Sequence, residues 1–227
     1  MPKLALLTAP GGPIELADRG ELPLPCPFAM GHEMFGEIAE LGEGLSTDAT
    51  GQPLAVGDRV MTPYFWLCGQ CHACARGRSH ACQNLMAGEY RTHEHEPHFV
   101  AAHGEYYHTS WRQPLYKVPE GLPDEAVAPL NCAAAQGLFA LRDVRLDDTV
   151  VIQGAGGPGI NDAAVARTAG AAAVIVIDKI AERIEVASDF GATECIDASG
   201  ISTHEVTERV RQHTDGIGLV PRGALVP

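Results

Sequence analysis

The pattern of apolar and polar positions changes near residue 148. Before it, short runs such as "KLALLT", "FGEIAEL", "GDRVMTPYF" and "PLYKVP" alternate or carry β-branched residues, each bounded by turn residues. Such runs predict strands, so the chain to about residue 120 reads as mostly β. After the change, "TVVIQ" is a continuous apolar run ending in "GAGGPG", and the Ala-rich "INDAAVARTAGA" follows. Then come "AVIVID", the helical pattern "KIAERIEVASDFGA", the short strand "ECID" and the polar helix "STHEVTERVRQHTDG". Apolar strands alternating with helices of this length predict βαβ units around a parallel sheet. The fold class is α/β, with a β-rich first part.

Composition narrows the function. A chain of 227 residues holds one large domain or two modest ones with a real core. Its net charge of −13 would repel phosphates, which argues against a nucleic-acid partner. No apolar run approaches the roughly 20 residues that span a bilayer, so no membrane partner is expected. The start, "MPKLALLTAPGGP", lacks the charged and long apolar regions of a signal peptide, and a cytoplasmic location is the default expectation.

Of seven cysteines, Cys68, Cys71, Cys74 and Cys82 fall in "CGQCHACARGRSHAC", while Cys26, Cys132 and Cys195 are scattered. Thiolates are soft ligands, and four of them close a tetrahedral shell around zinc, as in a structural site. An iron–sulfur run of the ferredoxin type closes with a three-residue gap and a proline. Here the last gap is seven residues and Gln83 follows, which favours zinc. "THEHEPH" at 92–98 reads as a solvated loop. In "PCPFAMGHE", His32 and Glu33 read either as a metal ligand with its supporting acid or as polar residues at the mouth of a strand.

"GAGGPG" at 154–159 is G-x-G-x-x-G between a buried strand and a helix, the context that a dinucleotide site requires. Gly154 permits the tight turn, and Gly156, with Gly157 beside it, lets the backbone approach a pyrophosphate. Gly159 lets helix and strand pack closely, with the helix N-terminus toward the phosphates. Asp178 ends the next strand, 24 residues after Gly154. Its carboxylate would accept from ribose hydroxyls and repel a 2′-phosphate, favouring NAD over NADP.

Together "GHE", the four-cysteine run and the strand–"GAGGPG"–helix unit resemble the zinc-dependent medium-chain alcohol dehydrogenase family. "GEIAELGEG", "VGDRV", "KVPEGLPDEA" and "FGATECID" agree with it. The resemblance implies a GroES-like β-barrel catalytic domain over residues 1–135, with a zinc lobe near 66–85, and a doubly wound Rossmann domain over 136–227. It implies that Cys68, Cys71, Cys74 and Cys82 hold structural zinc. His32 and Cys132 match catalytic-zinc ligands, Glu33 the acid beside that ion, and Arg183 a basic position near the adenosine ribose. On its own, Cys132 reads as a buried core thiol. The implied activity is NAD-dependent oxidation of a small-molecule alcohol, or reduction of the carbonyl.

Two departures shape the expectation. "PIELADRGEL" runs almost directly into "PLPCPFAMGHE", where the family carries a long segment that includes its first catalytic-zinc cysteine. Cys26 is not at a ligand position of the family. The sheet strands end after the third of the order 3-2-1-4-5-6, and "GIGLVPRGALVP" reads as a remnant or frameshifted tail. The expectation is a partial barrel, half a Rossmann sheet with "TVVIQ" at its edge, a lost homo-oligomer contact and one firmly held zinc. The alternative to an active dehydrogenase is an impaired fragment that keeps structural zinc and part of the nucleotide site.

Overall fold

The computed structural model describes residues 3–7, 14–18, 28–29, 31–85, 98–99 and 101–214. Cys26, residues 92–97 and the tail from 215 lie outside them. The chain divides into two compact units, Met1–Asn131 and Cys132–Pro227.

In the first unit, β1 (Lys3–Leu7) pairs antiparallel with β2 (Ile14–Asp18) and with β3 (Phe28–Ala29). A second antiparallel sheet has the order β4 (Gly36–Glu37), β5 (Arg59–Met61), β6 (Tyr116–Lys117). Among the described residues these two three-stranded sheets do not close into a barrel. Ile38, Leu54, Val60 and Leu115 form a small core beneath the second sheet. The run "FGEIAEL" contributes only two residues to the ladder. At Ile38 it exchanges backbone bonds with Gly57 and Asp58 of the approaching loop instead. Asp48 closes this unit from inside: it accepts from the backbone N–H of Lys117, Thr50 and Gln52. The Lys117 N–H is the largest influence holding its carboxyl far below the usual carboxylate range. A short helix, α1 (Asp124–Val127), leads to Asn131.

The second unit opens with α2 (Ala133–Ala140) and continues as β7 (Thr149–Gln153), α3 (Gly157–Thr168), β8 (Ala173–Asp178), α4 (Ala181–Asp189), β9 (Glu194–Asp197) and α5 (Thr203–Gln212). The sheet is parallel, in the order β7-β8-β9. Val174, Ile175 and Val176 of β8 are fully buried because both faces are covered. Val174 and Val176 pack against Ala163, Ala166 and Ala187 of α3 and α4, while Ile175 faces Ile196 and Val210 of β9 and α5. Each such side chain taken from water contributes roughly 1.5–3 kcal/mol. This is the first half of a doubly wound sheet. A capping box starts α5, with Ser202 Oγ accepting the Glu205 N–H and the Glu205 carboxylate accepting the Ser202 N–H. No helix among the described residues is long and apolar enough to cross a membrane.

Candidate metal centres and nucleotide site

The four clustered cysteines meet in space. Their Sγ atoms all lie within 4.8 Å of one another, and all four are free thiols. Cys82 Sγ stands 3.6 Å from that of Cys68 and 4.0 Å from that of Cys71. A zinc–sulfur bond of about 2.3 Å gives a tetrahedron with edges of about 3.8 Å, so this spacing fits zinc. Two 3-10 turns, Cys74–Arg76 and Ser79–Ala81, fold the seven-residue gap back to deliver Cys82. The Cys68 N–H also points at Cys82 Sγ, at 3.5 Å. The Asn84 side chain draws the Cys68 thiol down to about 6, and burial pushes Cys74 up to about 12.

"GHE" forms a constrained corner. Gly31 has φ +92°, and a Cβ there would stand 2.5 Å from the His103 ring and 2.9 Å from its backbone nitrogen. Only glycine satisfies both conditions. His32 and Glu33 are exposed. The His32 ring meets Tyr64 edge-on with centroids 4.7 Å apart, and Tyr64 meets Phe65 the same way at 5.0 Å. Buried Asn131 donates from Nδ2 to the carbonyls of His32, at 2.7 Å, and Thr62, at 3.1 Å. One peptide bond further on, Cys132 is buried at the start of α2, where its Sγ accepts from Gln136 Nε2 at 3.1 Å. In the first unit His32 and Glu33 carry an imidazole nitrogen and a carboxylate oxygen, and in the second Cys132 carries a thiol, each a possible metal ligand. Asn131, Gln136 and Tyr64 carry no motif of their own, and sequence reasoning did not find them.

The glycine loop and Asp178 are also brought together. At the end of β7, Gly154 turns with φ +98° and donates to the Ile177 carbonyl at 2.7 Å. A Cβ on Gly159 would overlap the Gly154 carbonyl oxygen, so α3 packs this closely only because Gly159 has no side chain. Gly156 and Gly157 face open space at the start of α3. Asp178 ends β8 and accepts from the N–H groups of Ala155 (2.6 Å), Lys179 (2.6 Å) and Ile180 (2.9 Å). The Ala155 bond is the strongest influence holding its carboxyl below the usual range, and Arg183 on α4 adds to it.

Residues 13–120 match the alcohol dehydrogenase GroES-like domain. The chain is 34% identical over 196 residues to 5-exo-hydroxycamphor dehydrogenase of Pseudomonas putida, covering 85% of this chain and 53% of that one. It is 32% identical over 207 residues to L-threonine 3-dehydrogenase of Idiomarina loihiensis, covering 91% and 57%. An alcohol dehydrogenase structure from Thermotoga maritima superposes with a TM-score of 0.82 at 23% identity, over 95% of this chain and 68% of the other. Over residues 13–120 the chain is similar to the alcohol dehydrogenase GroES-like domain, and over most of its length to curated dehydrogenases, with the fold of an alcohol dehydrogenase. The named relatives are dehydrogenases acting on small molecules, and nothing in these likenesses favours the impaired-fragment alternative. The chain spans about half the length of the curated relatives it matches.

Proposed function

We propose that the protein is an NAD-dependent zinc alcohol dehydrogenase that moves a hydride between a small-molecule alcohol and NAD. The observation that carries this reading is the bond from the Ala155 N–H to the Asp178 carboxylate. It locks a glycine loop against an anionic strand end, the arrangement that recognises a dinucleotide rather than merely turning the chain. Gly154, Gly156, Gly157 and Gly159 form the pyrophosphate cradle, with backbone N–H groups at the start of α3. Asp178, held ionised, accepts from the adenosine ribose hydroxyls and repels a 2′-phosphate, while Arg183 flanks the same ribose.

His32, Glu33 and Cys132 are the proposed catalytic-zinc group, and Cys68, Cys71, Cys74 and Cys82 the structural one. When bound, zinc at the first group supplies Lewis acidity that eases loss of an alcohol proton, and NAD supplies the hydride acceptor. Tyr64 and Phe65 place aromatic surface beside His32, which suits the carbon skeleton of a small alcohol. The relatives named for 5-exo-hydroxycamphor and L-threonine both act on alcohols, and an alcohol or its carbonyl is proposed here. The described cysteines form no disulfide with one another, which suits the cytoplasm. The test is NADH formation at 340 nm over a panel of primary and secondary alcohols, run in parallel with NADP. Turnover with NAD above NADP is expected, and no turnover with any alcohol or carbonyl overturns the reading.

A further inference from the structure

Cys132 stands at the N-cap of α2, and Gln136 lies one helical turn later. This spacing brings a side chain at the second position back over the first. Here it delivers the Gln136 amide Nε2 to 3.1 Å from Cys132 Sγ. The sulfur is buried, whereas Gln136 is half-buried, so the amide reaches inward from the helix flank. An amide N–H aimed at a buried sulfur takes a polar group partly out of water. In an ordinary apolar site a leucine or methionine would fill the space without desolvating an amide. The packing around α2 fixes the turn from the far side. Gly137, the next residue, is buried, and a Cβ there would meet the Asp162 carboxylate of α3 at 2.5 Å. The helix is therefore seated on α3 in one rotation, and Gln136 is aimed accordingly.

We propose that Gln136 is a positioning residue for Cys132. Its amide N–H bonds the sulfur and fixes the side-chain rotamer in which Cys132 would meet a metal ion. The inference rests on Cys132 being a ligand of the proposed catalytic group. Hydrogen-bonded outer partners of metal ligands contribute about 10- to 100-fold to metal affinity. A donated hydrogen bond also lowers the energy of the thiolate lone pairs. Removing it moves a thiolate-to-cobalt charge-transfer band to longer wavelength.

The test compares the full chain with Q136M, which keeps the length of the side chain but has no donor, and with C132S. Zinc is titrated against a chromophoric chelator, and the cobalt-substituted proteins are read in the near-ultraviolet, with C132S subtracted to isolate the Cys132 band. The ion held by the four-cysteine lobe is the internal control for folding. Two sites in the wild type are expected, one held firmly by the four cysteines and a weaker one at the proposed catalytic group. In Q136M the second site should weaken about 10- to 100-fold, with a red-shifted charge-transfer band and an unchanged first site. In C132S the second site and its band should be lost. If C132S loses the second site but Q136M keeps both affinity and band position, the positioning role is overturned while the ligand assignment stands. If C132S binds as the wild type does, or no second site exists, the ligand assignment fails and the positioning role fails with it.

Discussion

Asn131 donates from its side-chain nitrogen to the backbone carbonyl of His32, 99 positions earlier, at 2.7 Å. The same nitrogen reaches the Thr62 carbonyl at 3.1 Å, so one amide ties the "GHE" corner to the segment that follows β5. Asn131→Leu keeps the volume and removes both donors, leaving two carbonyls unpaired in a buried place. A loss of about 2 kcal/mol is expected from urea unfolding. An unchanged midpoint would mean that the corner is held without Asn131.

Gly159 offers a sharper test of the nucleotide loop, because its neighbour is backbone rather than a flexible side chain. Gly159→Ala forces α3 away from Gly154 and spreads the cradle. NAD affinity, followed by quenching of protein fluorescence or by calorimetry, should fall at least about tenfold. The equivalent change at Gly156, which faces open space, should leave the fold intact and impair only ligand approach.

The second unit was legible in the sequence because its physics is local. Apolar runs such as "AVIVID" bury both faces, and "STHE" carries its own capping box, so β8, α5 and their neighbours follow from short windows. The first unit was less so. "PIELAD" contains β2, and "PCPFAM" contains β3, and neither is among the runs that predict strands. Those two strands exist by pairing with β1, a tertiary choice. The helix α2 went unseen because "AAAQGLFA" has no polar face to mark its period. Its buried side is made of Ala133 and Gly137, small residues chosen for close approach. At the sites, ligand-type residues in known spacings could be read, as with the four cysteines. Asn131 and Gln136 could not, since their roles consist of where an ordinary amide points.

Asp178 connects the loop to acid stability. Its folded carboxyl titrates below the ordinary value because the Ala155 N–H, and then those of Ile180 and Lys179, bond to the ionised form. A depressed folded value means that the stabilisation is present above the unfolded value of about 3.9 and is lost as pH falls through the folded one. Asp178→Asn should therefore be less stable than the wild type at pH 7, with the gap closing below about pH 4. Thermal unfolding across that window reads the effect. A gap that stays constant to pH 2 would show that the three bonds do not depend on the charge. In the same variant, discrimination between NAD and NADP should shrink.

The four-cysteine lobe should behave as a metal-closed loop. Its described stretch around residues 68–82 holds short 3-10 turns and few apolar contacts, so the ion supplies most of what orders it. Arg76 and Arg78 are exposed between the third and fourth thiols. With zinc bound, these two bonds should resist trypsin. After dialysis against a strong chelator they should be cut first, while the sheet β7-β8-β9 persists as a resistant fragment. Cys82→Ser should show the same cleavage without chelator and should hold about one zinc fewer per chain by elemental analysis, since it removes the ligand that closes the shell. Cleavage at Arg76 and Arg78 at equal rates with and without zinc would overturn the structural role of the site.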